Sequence, residues 1–200
     1  MAGKAEGGLE ETMGALRAAG KGWKGRIVLA GSAQSRYTRQ VATYRKLSFR
    51  SDTRAGFDEA LSLAHYRLRL FDRDGELYGL DRKEVAEQLD RFLSAEADSE
   101  CTIVLHDPAF VVQRCPRIVD LARLFAHKFQ ILQTDADIKH FSRGMVIVEK
   151  ALVLRRPHFD HPTTFWDEDA AEVQGALLLF DEVVEKSDPA VSATVTGLGR

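Results

Sequence analysis

Residues 140–156, HFSRGMVIVEKALVLRR, carry the clearest fold signal in this chain of 200 residues. Two short apolar runs lie on either side of the polar pair Glu149-Lys150. Apolar runs of this length that contain β-branched residues predict β-strands, and so short a polar break between them predicts a tight hairpin. A histidine precedes the hairpin and two arginines end it, so residues that can bind ligands or take part in catalysis border the predicted strands.

Helix and strand signals alternate on both sides of this hairpin. Apolar residues at helical spacing predict helices over about 53–64, 81–93 and 167–186, and Pro116 suits the first turn of a further helix. The segment Asp81-Arg82-Lys83-Glu84 is typical of a capping box. Strands are predicted at 44–49, 66–71, 101–106 and 128–133. Because two helices each lie between strands, we expect an α/β fold, with a mostly parallel mixed sheet and helices on both faces.

The charge is unevenly distributed along the chain. Residues 1–50 hold 10 Lys or Arg against 3 Asp or Glu, a charge of +7, which leaves −9 for residues 51–200 of a total of −2. We predict a flexible basic arm at 1–25, a strand-forming lead-in at 26–50 that includes a strand at 26–30, an α/β domain at 51–190 and a tail at 191–200. The arm either contacts nucleic acid or another polyanion, or lies on the acidic body of its own or a second subunit.

Several function classes lack their usual signals. Charges interrupt every apolar run before about 20 residues, so we expect no membrane span and a cytoplasmic protein. Cys101 and Cys115 have no CxxC spacing and are expected to be reduced. The glycine-rich pieces match no nucleotide-binding loop, and the segment His158–His161 lies between two prolines rather than on a helix face, so we predict neither cofactor nor metal.

Four segments, taken together, resemble one repeat of the phospholipase D-like superfamily. More narrowly, residues 50–190 are similar to an uncharacterised bacterial domain of that kind, often attached behind an acetyltransferase module. The segments that carry the resemblance are Phe57-Asp58-Glu59-Ala60-Leu61 through Phe71, Leu105-His106-Asp107-Pro108, Cys115-Pro116-Arg117-Ile118, and Val146-Ile147-Val148-Glu149 followed by Leu154-Arg155-Arg156. The resemblance implies a single phospholipase D-like unit, and such units commonly pair into homodimers.

The superfamily motif is His-x-Lys-x-x-x-x-Asp, in which the histidine attacks phosphorus and the lysine holds the phosphoryl oxygens. Counted from His140, the lysine position is Ser142 and the acid position is Ile147, so two of the three roles are vacant. Arg143 lies one residue after the lysine position, and Glu149 lies two residues after the acid position. The resemblance therefore implies a domain that has lost its catalytic residues, or a degenerate phosphodiesterase or nuclease that uses His140, Arg143 and Glu149 in adapted roles.

A second group of residues predicts an anion pocket. His106 ends a predicted strand, where open α/β sheets bind ligands, and arginine forks suit phosphate or carboxylate. The candidate residues are His106, Arg114, Arg117, Arg155 and Arg156, together with Arg143. The alternative is that these arginines only form ion pairs within the protein.

Three functions remain open at this stage. The leading hypothesis is a non-catalytic scaffold, or a domain that binds an anion or a partner protein, derived from a phospholipase D-like phosphodiesterase. The second is the degenerate phosphodiesterase described above. The third is a nucleic-acid-binding accessory protein that works through the basic residues 1–50. We also predict a homodimer that uses the face around His140 and the last helix.

Overall fold

Strands and helices alternate along residues 42–191, the part of the chain that the computed structural model describes. The strands are β1 (Tyr44–Leu47), β2 (Arg67–Asp72), β3 (Glu100–Leu105), β4 (Phe129–Thr134), β5 (Gly144–Val148), β6 (Leu152–Arg156), β7 (Thr164–Asp167) and β8 (Ser187–Pro189). The helices are α1 (Arg50–Ser62), α2 (Lys83–Ala95), α3 (Ala109–Arg114), α4 (Pro116–Leu124) and α5 (Ala170–Glu185), and a 3₁₀ turn spans Ala136–Ile138.

All eight strands form one sheet in the order β1-β7-β6-β5-β2-β3-β4-β8. The pairs β2·β3 and β3·β4 are parallel, because α2 and the α3–α4 pair carry the chain back between these strands. The other five neighbouring pairs are antiparallel. The predicted α/β fold with a mixed sheet is confirmed. The expectation that the sheet is mostly parallel is wrong, because hairpins rather than crossovers join β5, β6 and β7.

Helices cover both faces of the sheet, as predicted. The first four helices pack on one face, where residues such as Phe57, Leu89 and Ile118 meet Leu70 and Ile103. Among the described helices, only α5 lies on the second face, where its buried residues are Val173, Leu177, Phe180 and Val183. The helical spacing of the apolar residues predicts Val173, Leu177 and Phe180 correctly, but it favours Val184 as the fourth position, which is only partly buried, whereas Val183 is fully buried.

Two predicted helix starts are wrong in detail. Asp81 does not cap α2, because the residue before the helix is Arg82 and no side chain caps it. The last helix begins at Ala170 rather than near Asp167, because 164–167 are extended as β7. Asp169 caps α5 instead, accepting hydrogen bonds from the amides of Ala171 at 2.9 Å and Glu172 at 3.3 Å.

The predicted strand at 44–49 is confirmed as β1, which pairs with β7 at one margin of the sheet. At the other margin, Ser187-Asp188-Pro189 ends α5 as predicted and also forms β8 beside β4. The predicted arm at 1–25, the strand at 26–30 and the tail from residue 192 lie outside the described residues. No helix within 42–191 has both the length and the apolar character that crossing a bilayer requires.

The hairpin between β5 and β6 turns at Glu149, as the sequence predicts. Glu149 has a φ of 57°, in the left-handed region that costs a residue with a Cβ about 1 kcal/mol or more. Its carboxylate offsets this strain: Oε1 accepts from the amides of His65 at 2.9 Å, Tyr66 at 2.7 Å and Arg67 at 3.1 Å. Glu149 thus ties the hairpin to the start of β2.

The sign of the Glu149 pKa shift predicts its effect on stability. Partial burial raises the pKa of this carboxyl, but the three amide hydrogen bonds outweigh burial and hold the pKa below its ordinary value. The carboxylate therefore stabilises the fold fully above its unfolded pKa of about 4.3, and this contribution is lost as the pH falls through the lower folded pKa.

We expect Glu149→Gln to lower the free energy of unfolding by about 1–2 kcal/mol at pH 7, since the amides lose a charged acceptor. The difference between the two proteins should shrink as the pH falls from 5 to 3. Urea unfolding followed by circular dichroism across this range measures both effects. A difference that stays constant with pH would contradict this assignment.

Candidate ligand sites at the strand ends

Three polar side chains lie together at the carboxyl ends of the parallel strands. Asp72 ends β2, His106 follows β3 and Thr134 ends β4, and all three are buried. His106 Nε2 lies 2.8 Å from the Phe141 carbonyl oxygen, and Nδ1 lies 2.7 Å from Thr134 Oγ1. A carbonyl only accepts, so Nε2 carries the proton and Nδ1 accepts from the Thr134 hydroxyl. Both ring nitrogens of His106 are thereby engaged.

His106 holds the loop that leads into β5. Its ring packs edge-on against Phe71 and Phe159, at centroid distances of 5.1 Å and 5.5 Å. Burial lowers the pKa of His106, and the hydrogen bond to Phe141 works in the opposite direction. A neutral imidazole therefore joins Phe141 to the strand ends, which makes His106 a positioning residue for this loop.

A buried ion pair joins the ends of β2 and β6. Arg156 Nη1 lies 2.7 Å from Asp72 Oδ1, and the two side chains are 7% and 0% exposed. The remaining Arg156 donors bind the carbonyl of His161 at 3.0 Å and the carbonyl of Phe159, while Asp72 Oδ2 accepts from the Gly75 amide at 3.2 Å. Burial raises the pKa of the Asp72 carboxyl, and the Arg156 guanidinium opposes that rise.

Gly144, the first residue of β5, lies directly against this ion pair. A Cβ placed at Gly144 would lie 2.8 Å from Asp72 Oδ1 and 3.0 Å from the Phe71 carbonyl oxygen. The first distance is shorter than real Cβ contacts, and the second is tighter than most and involves the backbone of a central strand. A side chain at position 144 would therefore require this packing to shift.

A groove of about 630 Å³, which we call the α5 groove, runs between α5 and the ends of β5 and β6. It is lined by Ser142, Arg143, Gly144, Met145, Arg155, Arg156, Pro157, Glu172, Gly175, Ala176 and Leu179. Arg155 is committed to Asp167 at 2.6 Å and Glu172 at 3.1 Å. Arg143 is exposed and forms no ion pair with any residue from 42 to 191.

A second, more open depression of about 370 Å³, the strand-end cleft, adjoins the α5 groove at Ser142. It is lined by Arg73, His106, Asp107, Lys139, Phe141, Ser142, His158, Phe159 and Asp160. Arg73 contacts Asp74 at 3.2 Å and Asp160 at 3.5 Å, so its charge is largely balanced. Lys139 is a second, exposed cation of this cleft and forms no ion pair within residues 42–191, and the carboxylates of Asp107 and Asp160 line the cleft beside it.

The structure brings together some of the predicted site residues. Of the predicted anion-binding residues, Arg155 and Arg156 line the α5 groove with Arg143, and His106 lines the strand-end cleft. Arg114 and Arg117 line neither, because α3 and α4 carry them away from the ends of β5 and β6.

The three candidate catalytic residues do not converge. His140 lies in the exposed loop before β5, with Nδ1 2.8 Å from the Asp137 carbonyl oxygen. Arg143 is near the same end of the strand. Glu149 lies at the opposite end, about 17 Å along the strand, where the amides of residues 65–67 hold it.

Other reactive residues are also accounted for. Cys101 and Cys115 are free and buried, and burial raises the pKa of Cys115 to about 12, far from a reactive thiolate. Within the described part of the chain, no three His, Cys, Asp or Glu side chains are grouped as metal ligands. Phe159, in the proline-bracketed loop, is buried in the core, as the sequence suggested.

A family model described as "Domain of unknown function (DUF7931)" matches residues 50–193. The chain belongs to this DUF7931 family. Its matched segment includes every strand except β1 and both depressions described above. Among curated proteins, none matches the sequence significantly.

Solved structures resemble the chain in fold. Nuc from Salmonella typhimurium, a phospholipase D family member, aligns with a TM-score of 0.55 at 9% identity, covering 76% of this chain and all of Nuc (100%). Phosphatidylserine synthase from Haemophilus influenzae Rd KW20 aligns with a TM-score of 0.51 at 10% identity, covering 80% of this chain and 42% of the synthase. The DUF7931 chain therefore has a phospholipase D-like fold, as the resemblance implied.

A third solved structure, TrmBL2, is an archaeal chromatin protein whose structure "shows a novel mode of DNA binding". It aligns with a TM-score of 0.54 at 19% identity and covers 72% of this chain. The DUF7931 chain spans about half of TrmBL2, 53% of its length. At these identities, all three likenesses show the fold alone.

The two arginines that end β6 offer a direct test of the buried ion pair. Arg156→Met leaves the Asp72 carboxylate buried without a cation, so we expect the free energy of unfolding to fall by about 3–5 kcal/mol. Arg155→Met, a matched change one residue away, removes a half-exposed ion pair with Glu172 and a partly buried one with Asp167, whose side chain is 8% exposed. Because the Arg155 side chain itself is 38% exposed, this change should cost less than Arg156→Met, about 1–2 kcal/mol. Urea unfolding at pH 7 compares the variants, and equal losses would contradict the assigned role of Arg156.

Proposed function

We propose that this domain is a non-catalytic binding module on a phospholipase D-like fold, and that it binds an anion at Arg143 in the α5 groove. This proposal rests on the packing around Gly144, where the Asp72 carboxylate lies in the space that a side chain would need. The superfamily motif places its histidine, lysine and acid at relative positions 0, +2 and +7. That spacing fits residues 142, 144 and 149, two residues later than the register counted from His140.

In this later register the acid is kept as Glu149, serine replaces the histidine and glycine replaces the lysine. The Asp72 carboxylate and the Phe71 carbonyl fill the space that a side chain at 144 would need. Phosphoryl transfer needs a nucleophile and a cation positioned together. This packing supports a binding role, because a lysine at that position would require it to shift and Ser142 offers no phosphohistidine chemistry.

Neither His106 nor His140 is positioned as a substitute nucleophile beside both a cation and an acid. His106 is buried with both ring nitrogens engaged, and His140 is exposed beside a backbone carbonyl. The alternative of a degenerate phosphodiesterase required His140, Arg143 and Glu149 to meet at one point. Because β5 separates Glu149 from the other two residues, we favour binding over catalysis.

Arg143 is the cation that can bind an external anion. The neighbouring Arg155 and Arg156 guanidinium groups already hold carboxylates. Arg143 is exposed at the groove, on the loop that His106 fixes through Phe141. A guanidinium in this setting donates paired hydrogen bonds to a carboxylate or phosphate oxygen pair.

We expect inorganic phosphate to bind the full chain and Arg143→Ala to weaken that binding about tenfold, as loss of a charge-assisted hydrogen bond implies. Chemical-shift titration with phosphate measures the affinity. Arg114→Ala is the matched control, because Arg114 is equally exposed but lies outside both depressions, and it should leave the affinity unchanged. Equal effects of the two substitutions would refute an anion site at Arg143.

The same proposal predicts no hydrolysis of bis(p-nitrophenyl) phosphate above the buffer rate. Turnover that disappears in His140→Ala would overturn the non-catalytic assignment and restore the phosphodiesterase alternative.

Nucleic-acid binding is a second candidate function. Two observations favour it: the excess of positive charge in residues 1–50 and the fold likeness to the DNA-binding protein TrmBL2. If the basic residues neutralise phosphates, the affinity for DNA falls steeply as salt increases. We expect deletion of residues 1–25 to reduce both the affinity and its salt dependence in a filter-binding titration, and an unchanged titration would exclude this role for the arm.

The predicted homodimer remains part of this proposal. The face around His140 and α5 is the one we expect a second copy to use, and light scattering at micromolar concentration can test for a dimer.

A further inference from the structure

The α5 groove has both charged and apolar lining. Its charged residues are Arg143, Arg155, Arg156 and Glu172, and its apolar residues are Met145, Pro157, Ala176 and Leu179. We propose that this groove binds a monoanionic amphiphile, with the charged group on Arg143 and an apolar chain along α5. This inference rests on the proposed anion site and adds the chemical class of its ligand.

Gly175 is the first independent support. It lies in the middle of α5, where glycine destabilises a helix relative to alanine. No neighbouring atom comes within 4 Å of a Cβ built at this position, so no contact within the described protein requires a glycine there. The missing side chain instead leaves the groove wall open. A ligand chain could therefore pack closely against the helix backbone at this exposed position.

The charges around the groove limit the ligand to one negative charge. Arg143 forms no ion pair with the described residues 42–191, whereas Arg155 is shared between Asp167 and Glu172. Glu172 itself lines the groove, so a second negative charge on the ligand would be repelled. A carboxylate or a singly charged phosphate ester satisfies Arg143 without this cost.

The dimensions of the groove fit such a ligand. A volume of about 630 Å³ lies within the usual range for small-molecule sites. Burial of each methylene of a ligand chain raises affinity about fourfold. A chain that buries only two methylenes on Ala176 and Leu179 would therefore bind more than tenfold tighter than its headgroup alone.

Titration of the full chain with decanoate and acetate at pH 7 tests the inference. Decyl phosphate with inorganic phosphate at pH 5, where each phosphate group carries a single charge, tests the other headgroup. We expect each long-chain ligand, below its micelle concentration, to bind at least tenfold tighter than its short counterpart. Gly175→Leu fills the groove and should abolish that gain while leaving acetate and phosphate binding unchanged. Arg143→Ala should weaken long and short ligands alike.

Two controls keep the result interpretable. Leu178→Ala changes a residue of the same helix that is 64% exposed and does not line the groove, so decanoate binding should not change. Gly175→Ala should raise the midpoint of thermal unfolding by a few degrees, and Gly175→Leu should not lower it, since both residues favour helix. These midpoints show whether the variants remain folded.

The outcomes separate this inference from the proposed function. The amphiphile site is refuted, and the anion site stands, if short anions bind through Arg143 but the alkyl chain of the ligand adds no affinity. The same holds if Gly175→Leu leaves the extra affinity of the long-chain ligands intact. If neither short nor long anions bind, both proposals are refuted. If only decyl phosphate shows the gain, the headgroup is a phosphate ester rather than a carboxylate.

Discussion

The buried pair of Asp72 and Arg156 is the interaction on which this end of the molecule depends. It connects a parallel strand in the centre of the sheet to the antiparallel half, and its remaining hydrogen bonds fix the loop that follows β6. Because charges in an apolar interior are costly unless fully paired, the surrounding backbone must present its carbonyl and amide groups accurately. The absence of a side chain at Gly144 is part of the same arrangement, since the carboxylate occupies that volume.

This arrangement places the ends of β5 and β6 beside two depressions in a phospholipase D-like fold. Arg143, which forms no ion pair within residues 42–191, lies at the edge of one of them. Glu149 lies at the far end of β5, where its carboxylate accepts hydrogen bonds from three amides. These contacts give Glu149 a structural role in the sheet.

Local patterns in the sequence were sufficient to predict most helices and the central strands. Val173, Leu177 and Phe180 recur at helical spacing, and the apolar run at 101–106 has the character of a covered strand. The strands β7 and β8 were missed because they have only four and three residues and their pairing depends on distant partners. The sheet was expected to be more parallel than it is, since sequence order does not reveal that three hairpin-linked strands join it.

The site was less predictable than the fold. Arg155 and Arg156 look equivalent in the sequence, yet the pleat directs Arg155 to Asp167 and Glu172 at the groove and Arg156 into the core. Only the packing shows that Asp72 is the partner of Arg156. In the later register only Glu149 has the residue type that the motif needs, since positions 142 and 144 hold serine and glycine. Which register is right depends on where β5 begins, and that is a property of the folded sheet.

The position of Pro189 in β8 affects how copies of this domain can associate. A strand at the edge of a sheet has unpaired backbone groups, so a strand of another protein molecule can pair with it. Repeated pairing of this kind leads to aggregation. Proline has no amide hydrogen, so at this point β8 cannot donate to an incoming strand. Intermolecular strand pairing at β8 is therefore disfavoured. Association of two copies through side-chain contacts is favoured over association through this edge of the sheet.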